Sequence, residues 1–304
     1  MKIKSRSTKI GDFIIALICF FVILICVLPM VNLLAQSLSD ANSIINRRVT
    51  FWPVVQDAET SQFRLGLTWD SYIYVFMDSS FNRSMYWTAI LTIICTVWSL
   101  VMTILCAYPL TYSWLKGRGI INTIIIITMY FNAGIIPNYI LMMSLGLLNN
   151  PMVLIIPNCL SVFNMIILRS FFYGIPDSLR ESAEIDGANP FVVLTRIYLP
   201  LSLPVLATLA LFYAVGRWNG FTDALMFLPA SPQWAPIQLK LYQIIMNLSA
   251  IEVATVEMVS GATPRTTDAM KAAAVMFATL PILLVYPWLQ RYFISGVTIG
   301  AVKG

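Results

Sequence analysis

Long uncharged stretches alternate along this chain with short segments that hold nearly all of its charge. A helix rises about 1.5 Å per residue, so roughly 20 residues cross the ~30 Å hydrocarbon layer of a bilayer. Measured by that length, the apolar stretches predict six membrane-spanning helices: about Phe13 to Ala35, Met85 to Tyr108, Ile120 to Ser144, Met152 to Phe172, Leu201 to Asp223 and Ala272 to Gln290. The third and fourth come from one charge-free run, Gly119 to Leu168, which is too long for a single helix and is divided by the turn-forming Gly146, Asn149, Asn150 and Pro151. The first span follows Lys2, Lys4, Arg6 and Lys9 as a secretory signal would. It is too long for a signal's apolar core and no small-residue cleavage site follows, so it is expected to stay as a span.

Six spans put both termini on one side. Lys2, Lys4, Arg6, Lys9, Lys116, Arg118, Arg169, Arg180, Arg196, Arg291 and Lys303 fall on that side, and the Lys/Arg bias assigns it to the cytoplasm. The opposite side receives two long loops, 36–84 and 227–271, whose Pro, Trp and mixed charges suit a folded external surface. The predicted architecture is an all-α integral membrane protein: one transmembrane domain over 1–304, a cytoplasmic loop at 173–200 and a cytoplasmic tail at 293–304. Pro109, Pro137, Pro157, Pro204 and Pro281 fall in or at the ends of spans, where neighbouring helices re-satisfy the carbonyls a proline frees.

Composition narrows the function classes. The chain is 59% hydrophobic and only 11% charged, and its mean hydropathy is +0.79, which excludes an ordinary soluble domain. The net charge of +5 is scattered over loops without an aromatic-interleaved stripe, so it implies orientation in the membrane and no nucleic-acid partner. There is no His, and Cys19, Cys26, Cys95, Cys106 and Cys159 all lie in apolar stretches without metal-ligand spacing. They read as small packing residues, with no metal site and no catalytic set. A secondary transporter would show intramembrane acidic residues for ion coupling, and none stands out.

The segment PDSLRESAEIDGANPFVVLTRIYLPLSLP between spans four and five is more structured than a connector needs to be. Ser178 and Glu181 have capping-box spacing, so a helix is expected to start at Leu179. Gly187 should end it, and Asn189 as N-cap with Pro190 at the first helical position should start another. In that second helix Phe191, Leu194 and Tyr198 share a face by helical spacing, with Arg196 elsewhere. The expected product is a cytoplasmic knuckle bent at Gly187, its small apolar face ringed by Arg180, Glu181, Glu184, Asp186 and Arg196, shaped to dock into a cleft on another protein.

These residues resemble the EAA loop of permease subunits in binding-protein-dependent ABC importers. Glu181-Ser182-Ala183, Gly187, Ile197 and Leu199-Pro200 match its pattern at every spacing, with Ser182 in place of the second position's alanine. With Asp186-Gly187-Ala188 and the repeated Leu-Pro ending, the stretch is similar to the carbohydrate branch. The C-terminal run Gly296 to Gly304 resembles the tail of the smaller maltose-importer permease, which reaches between the ATPase subunits; by itself it is a flexible glycine-rich end.

The resemblance implies a type I ABC importer permease with Glu181, Ser182, Ala183, Asp186, Gly187, Ile197, Leu199 and Pro200 in ATPase coupling, and Gly300, Val302 and Lys303 in a tail contact. It implies as partners a second, related permease subunit, two ATPase subunits and an extracytoplasmic solute-binding protein, with an oligosaccharide as cargo. A non-sugar solute such as a peptide, a polyamine or a phosphate-containing compound is the alternative. The chain lacks the G-x-x-x-x-G-K-[ST] phosphate loop, so ATP and Mg are expected on the partner ATPases, with no cofactor here.

The cargo path is less legible. Arg217, Trp218 and Asn219 lie near the outer end of span five, with Asp223 about a turn beyond. Together they could bind sugar hydroxyls, stack on a pyranose face or grip a uronic-acid carboxylate; alternatively Arg217 snorkels outward and Trp218 joins the interfacial aromatic belt. Gln233 and Trp234, in a proline-rich loop, occupy the place from which related sugar permeases probe their binding protein; a rigid surface loop is the other reading.

Overall fold

A computed structural model describes residues 6–57, 60–246 and 267–301. The chain divides into two compact units, Met1–Phe81 with Leu241–Thr279 and Asn82–Lys240 with Leu280–Gly304.

The first unit opens on helix α1, Arg6–Ser37, whose most apolar 18-residue window has a mean hydropathy of 3.3 and no buried residue, burial beginning only at its end with Ala35 and Ser37. An apolar stretch of that length left uncovered by the other described residues is at home in lipid or against another subunit. It is followed by the short α2, Ala41–Ile45, capped by the Asp40 carboxylate on the Ser43 N–H. The expectation of an all-α chain needs one correction here. Val54–Gln56 (β1) and Phe63–Leu65 (β2) form an antiparallel hairpin in register Val54↔Leu65, and an Asp57–Arg64 ion pair of 3.3 Å closes its end. The valine pair at 54 and 55 favours extended backbone, and this loop lies outside any predicted span. Helix α3, Asp70–Met77, then packs Phe76 edge-on against Phe277, with ring centroids 4.6 Å apart.

Helix α4, Ser79–Ala107, runs into a one-turn 3₁₀ helix at Pro109–Thr111, together a second stretch long and apolar enough to cross a membrane. The third predicted span is not one helix. Helix α5, Arg118–Tyr130, and helix α6, Ile135–Ser144, meet at 117°. Asn132 Oδ1 accepts the Gly134 N–H in a tight turn, and Gly134 sits at φ +87°, a conformation that favours glycine. The fourth is also broken: a 3₁₀ turn at Pro151–Leu154 precedes α7, Val162–Phe172, only 11 residues long and capped by Ser161. Pro157 and Asn158 interrupt the ladder between them.

Three short elements then form the loop between spans: α8, Asp177–Ile185, α9, Pro190–Val193, and a π-helical turn, Leu194–Tyr198, leading into α10, Leu199–Leu201. Helix α11, Leu203–Asn219, departs at 82° from the 190–201 segment, and α12, Thr222–Phe227, follows after a sharp turn. A 3₁₀ turn at Pro232–Trp234, helix α13 at 237–246 and α14, Thr267–Ala301, complete the described chain. The sixth predicted span lies inside α14, which stays helical to Ala301, past the expected end at Gln290. By length and composition, the described residues hold two helices able to cross a membrane, or up to four if each bent pair is one span.

Within the second unit two buried clusters flank the functional region. One gathers Tyr108, Tyr112, Leu168, Phe172, Val193 and Tyr198; the other gathers Leu91, Cys95, Met142, Leu154, Ala224 and Leu239. The first is an aromatic box: Tyr108 meets Tyr112, Phe172 and Tyr198 edge-on at centroid distances of 5.2, 6.2 and 5.1 Å. Edge-to-face pairs contribute about 0.5–1.5 kcal/mol each beyond area burial, which counts where lipid tails weaken the hydrophobic term.

Candidate functional site

The loop from Asp177 to Pro200 folds around one glycine. Gly187 takes φ +80°, its N–H donates to Glu184 O at 3.1 Å, and the Ala188 N–H donates to Ala183 O at 2.9 Å. These two bonds make a Schellman motif, which satisfies the last carbonyls of α8 and turns the chain sharply. Asn189 Oδ1 accepts the Val192 N–H at 2.9 Å and Pro190 takes the first position of α9, as the sequence leads one to expect. The capping box does not form. Helix α8 begins two residues earlier, at Asp177, with Pro176 as its unbonded cap, because an acidic residue in the first turn and a fixed proline φ start the helix before Ser178.

The loop is tied to the bundle from below. Tyr108 donates its hydroxyl to Pro190 O at 3.0 Å, and the Arg180 guanidinium lies over the Tyr112 ring at 5.1 Å while pairing with Asp177 and Glu184. Val193, Leu194 and Tyr198 point into the aromatic box. Phe191 does not share their face: it is 67% exposed, at the free corner of the loop where no element packs over it. Ile185 is 86% exposed on the other side of Gly187. Glu181, Ser182, Asp186, Gly187 and Pro200 are exposed, whereas Ala183, Ile197 and Leu199 are half-buried against the box. The outward surface is thus apolar at Ile185 and Phe191 and acidic at Glu181 and Asp186.

The cap makes this local order testable. An N-cap asparagine contributes about 1 kcal/mol, so Asn189→Ala is expected to raise hydrogen exchange at the Val192 amide about fivefold, and Asn189→Ser to leave it unchanged. Equal exchange in wild type and Asn189→Ala would show that the aromatic box alone holds the turn.

A cavity of about 740 Å³ opens within the second unit, between the end of α11, the start of α12, the break before α7, and α4. Arg217 and Asp223 both line it. Arg217 is 8% exposed: Nη1 and Nη2 pair with the two Asp223 oxygens, Nη2 donates to Gly220 O at 2.9 Å and Nη1 reaches Leu154 O at 3.5 Å. The snorkelling alternative therefore does not hold. The four predicted path residues do not act as one cluster. Trp218 is buried away from the cavity lining and Asn219 is exposed, because successive residues on a helix point about 100° apart.

Sequence reasoning missed Ser99, Asn158, Asn164 and Tyr213, which also line the cavity. Each is a single polar residue in an apolar run, and only the fold collects them. Their signal was polarity inside predicted spans, which in hydrocarbon marks a cavity or a partner. Of the other predicted residues, Gln233 is exposed while Trp234 is half-buried with its ring 4.7 Å from Trp87. The surrounding loop is pinned by Asn149, whose Oδ1 accepts the Ala230 N–H. Gly300 lies in the last turn of α14, and Val302 and Lys303 lie outside the described residues.

Known proteins place this arrangement. Residues 63–299 match the family described as binding-protein-dependent transport system inner membrane component. The polygalacturonan/rhamnogalacturonan transport system permease protein YtcP of Bacillus subtilis (strain 168) is 38% identical over 92% of this chain and 94% of its own length. The arabinooligosaccharides transport system permease protein AraQ of Halalkalibacterium halodurans is 27% identical over 99% of this chain and 100% of its own. A chain from the crystal structure of a bacterial ABC transporter involved in the import of the acidic polysaccharide alginate superposes with a TM-score of 0.81 at 28% identity, covering 96% of this chain and 100% of that one. The match to the family spans most of the chain, including both the Gly187 turn and the cavity, and the chain belongs to the inner-membrane permease components of binding-protein-dependent ABC importers.

Proposed function

We propose that this chain is the membrane-spanning permease subunit of an importer that takes oligosaccharides from an extracytoplasmic binding protein and moves them into the cytoplasm. The observation that carries the coupling half of this reading is the exposed knuckle. Ile185 and Phe191 stand out on either side of a Schellman turn whose underside is fixed by Tyr108 and Tyr112, which flank the 3₁₀ turn after α4. Large exposed apolar groups on a rigid polar-rimmed turn suit a partner's cleft. That partner is one of two ATPase subunits, which hold ATP and Mg, and closure of the ATPase pair shifts the helices toward the outward-open state.

In this reading six spans place both termini in the cytoplasm, and Gly300, Val302 and Lys303 approach the ATPases. A related second permease completes the path, and the Gln233–Trp234 loop faces the binding protein. Support for sugar comes from the relatives' transport names and from the chemistry of the cavity. A polyamine would need free carboxylates and a phosphate compound a free cation; Asp223 and Arg217 are committed to each other. Copurification under mild detergent tests the assembly. An ATPase and a second, similar permease are expected to travel with the chain, and a homo-oligomer alone would overturn the proposal.

A further inference from the structure

Within the cavity, the groups that carry charge are already paired with each other. Both Asp223 oxygens accept from Arg217; Oδ2 also faces the Asn158 amide at 3.4 Å and Oδ1 the Ala224 N–H at 2.9 Å. Four of the five Arg217 N–H groups point at Asp223, Gly220 O and Leu154 O, and the remaining Nε–H is buried without a partner among the described residues, out of reach of cargo. A β-carbon at Gly220 would come within 3.2 Å of Nη2, so the turn closes tightly over the guanidinium. No fork of donors is left for an incoming carboxylate, which recognises arginine through two parallel bonds.

What is left open is neutral. Asn164, only 5% exposed, lines the cavity with its side-chain amide unpaired among the described residues; its backbone N–H alone is engaged, by Ser161 Oγ. An unpaired amide that opens onto a cavity is free to bond with whatever enters it. Phe163 and Phe212 add aromatic surface to the same lining. An amide offering both a donor and an acceptor beside aromatic rings is the chemistry that meets a sugar's hydroxyls and its C–H face.

We infer that this cavity is a subsite for the uncharged hydroxyl-bearing face of a sugar ring, with the Asn164 amide as its specificity contact and the Arg217–Asp223 pair as a fixed wall that does not read cargo charge. The inference rests on the oligosaccharide reading. It also reassigns Arg217 from a gripping residue to a positioning one.

The test uses the assembled transporter in vesicles with Thr222→Cys, a position on the cavity lining. Methanethiosulfonate labelling at 222 is read by peptide mass in the presence of trigalacturonate or its methyl ester, which keeps the skeleton and removes the charge. Both sugars are expected to slow labelling at least fivefold, and adding Asn164→Leu should abolish the slowing while Asn164→Gln retains part of it. Slowing by the charged sugar alone, or slowing that survives Asn164→Leu, would overturn the inference. The unmodified transporter's ATPase, stimulated by sugar-loaded binding protein, separates the two levels. With stimulation but no protection at 222, the subsite fails and the importer reading stands; without stimulation by any sugar-loaded protein, both fall.

Discussion

Gly187→Asn is expected to leave the chain folded and inserted while ATP-driven uptake in vesicles falls roughly tenfold or more, with ATP hydrolysis continuing. Two demands on residue 187 can be separated. The first is backbone conformation: φ is +80°, where an L-residue costs about 1–2 kcal/mol but asparagine is tolerated. The second is space. A β-carbon at 187 meets none of the described residues within 4 Å, so they give no steric reason for a glycine. If the knuckle seats in an ATPase cleft, the partner supplies that reason, and losing about 1.4 kcal/mol of docking in one state shifts the coupled equilibrium tenfold. Gly187→Val carries both penalties and should be worse in uptake and in local protease resistance. Full uptake by Gly187→Asn would mean that the glycine serves the turn alone, and close approach of the ATPase at this residue would be refuted.

The knuckle was legible in the sequence because its determinants are local. Asn189, Pro190 and Gly187 act through bonds to residues within five positions, and each does in the structure what its chemistry dictates. Phe191 defeated the same reasoning. Helical spacing puts it on the face of Leu194 and Tyr198, but a face is buried only where something packs over it, and that depends on α4 and α7 rather than on periodicity. The spans were legible as apolar lengths and illegible as shapes. Hydropathy reports transfer into lipid, which is indifferent to whether 120–144 is one rod or two helices at 117°. The Asn132–Gly134 turn that breaks it carries no charge and is too short to interrupt a span-length hydropathy window.

The cavity was half legible. An arginine in a predicted span demanded an explanation, and Asp223, named beside it as a cargo contact, is its ion-pair partner in the structure. Trp218 and Asn219 were the wrong company, while Tyr213, one turn back on α11, and Asn158 and Asn164, from before α11, were the right one. Tyr213 accepts the Ser161 N–H and bonds Thr103, joining the start of α7 to α4 and α11. No pattern within a single span encodes such a junction.

The pair also sets the second large expected effect, which concerns stability and is asymmetric. Asp223→Ala leaves a guanidinium at 8% exposure with two carbonyls and no counter-charge, and removing one partner of a buried ion pair costs about 3–5 kcal/mol. At roughly 2–4 °C per kcal/mol for a chain of this order of size, the detergent-solubilised transporter should lose on the order of 10 °C in apparent Tm. Arg217→Met alone should cost less. It strands a carboxylate that keeps the Ala224 N–H and the Asn158 amide, and that is 19% exposed and able to draw water. The double variant Arg217→Met with Asp223→Leu should recover most of the loss, because both charges leave together and apolar replacement of a buried pair is often neutral. The ordering matters more than the size: Asp223→Ala lowest, Arg217→Met intermediate, the double variant near wild type. An additive double variant would mean that the two side chains act independently, and the fixed-wall role assigned to them in the cavity would have to be abandoned.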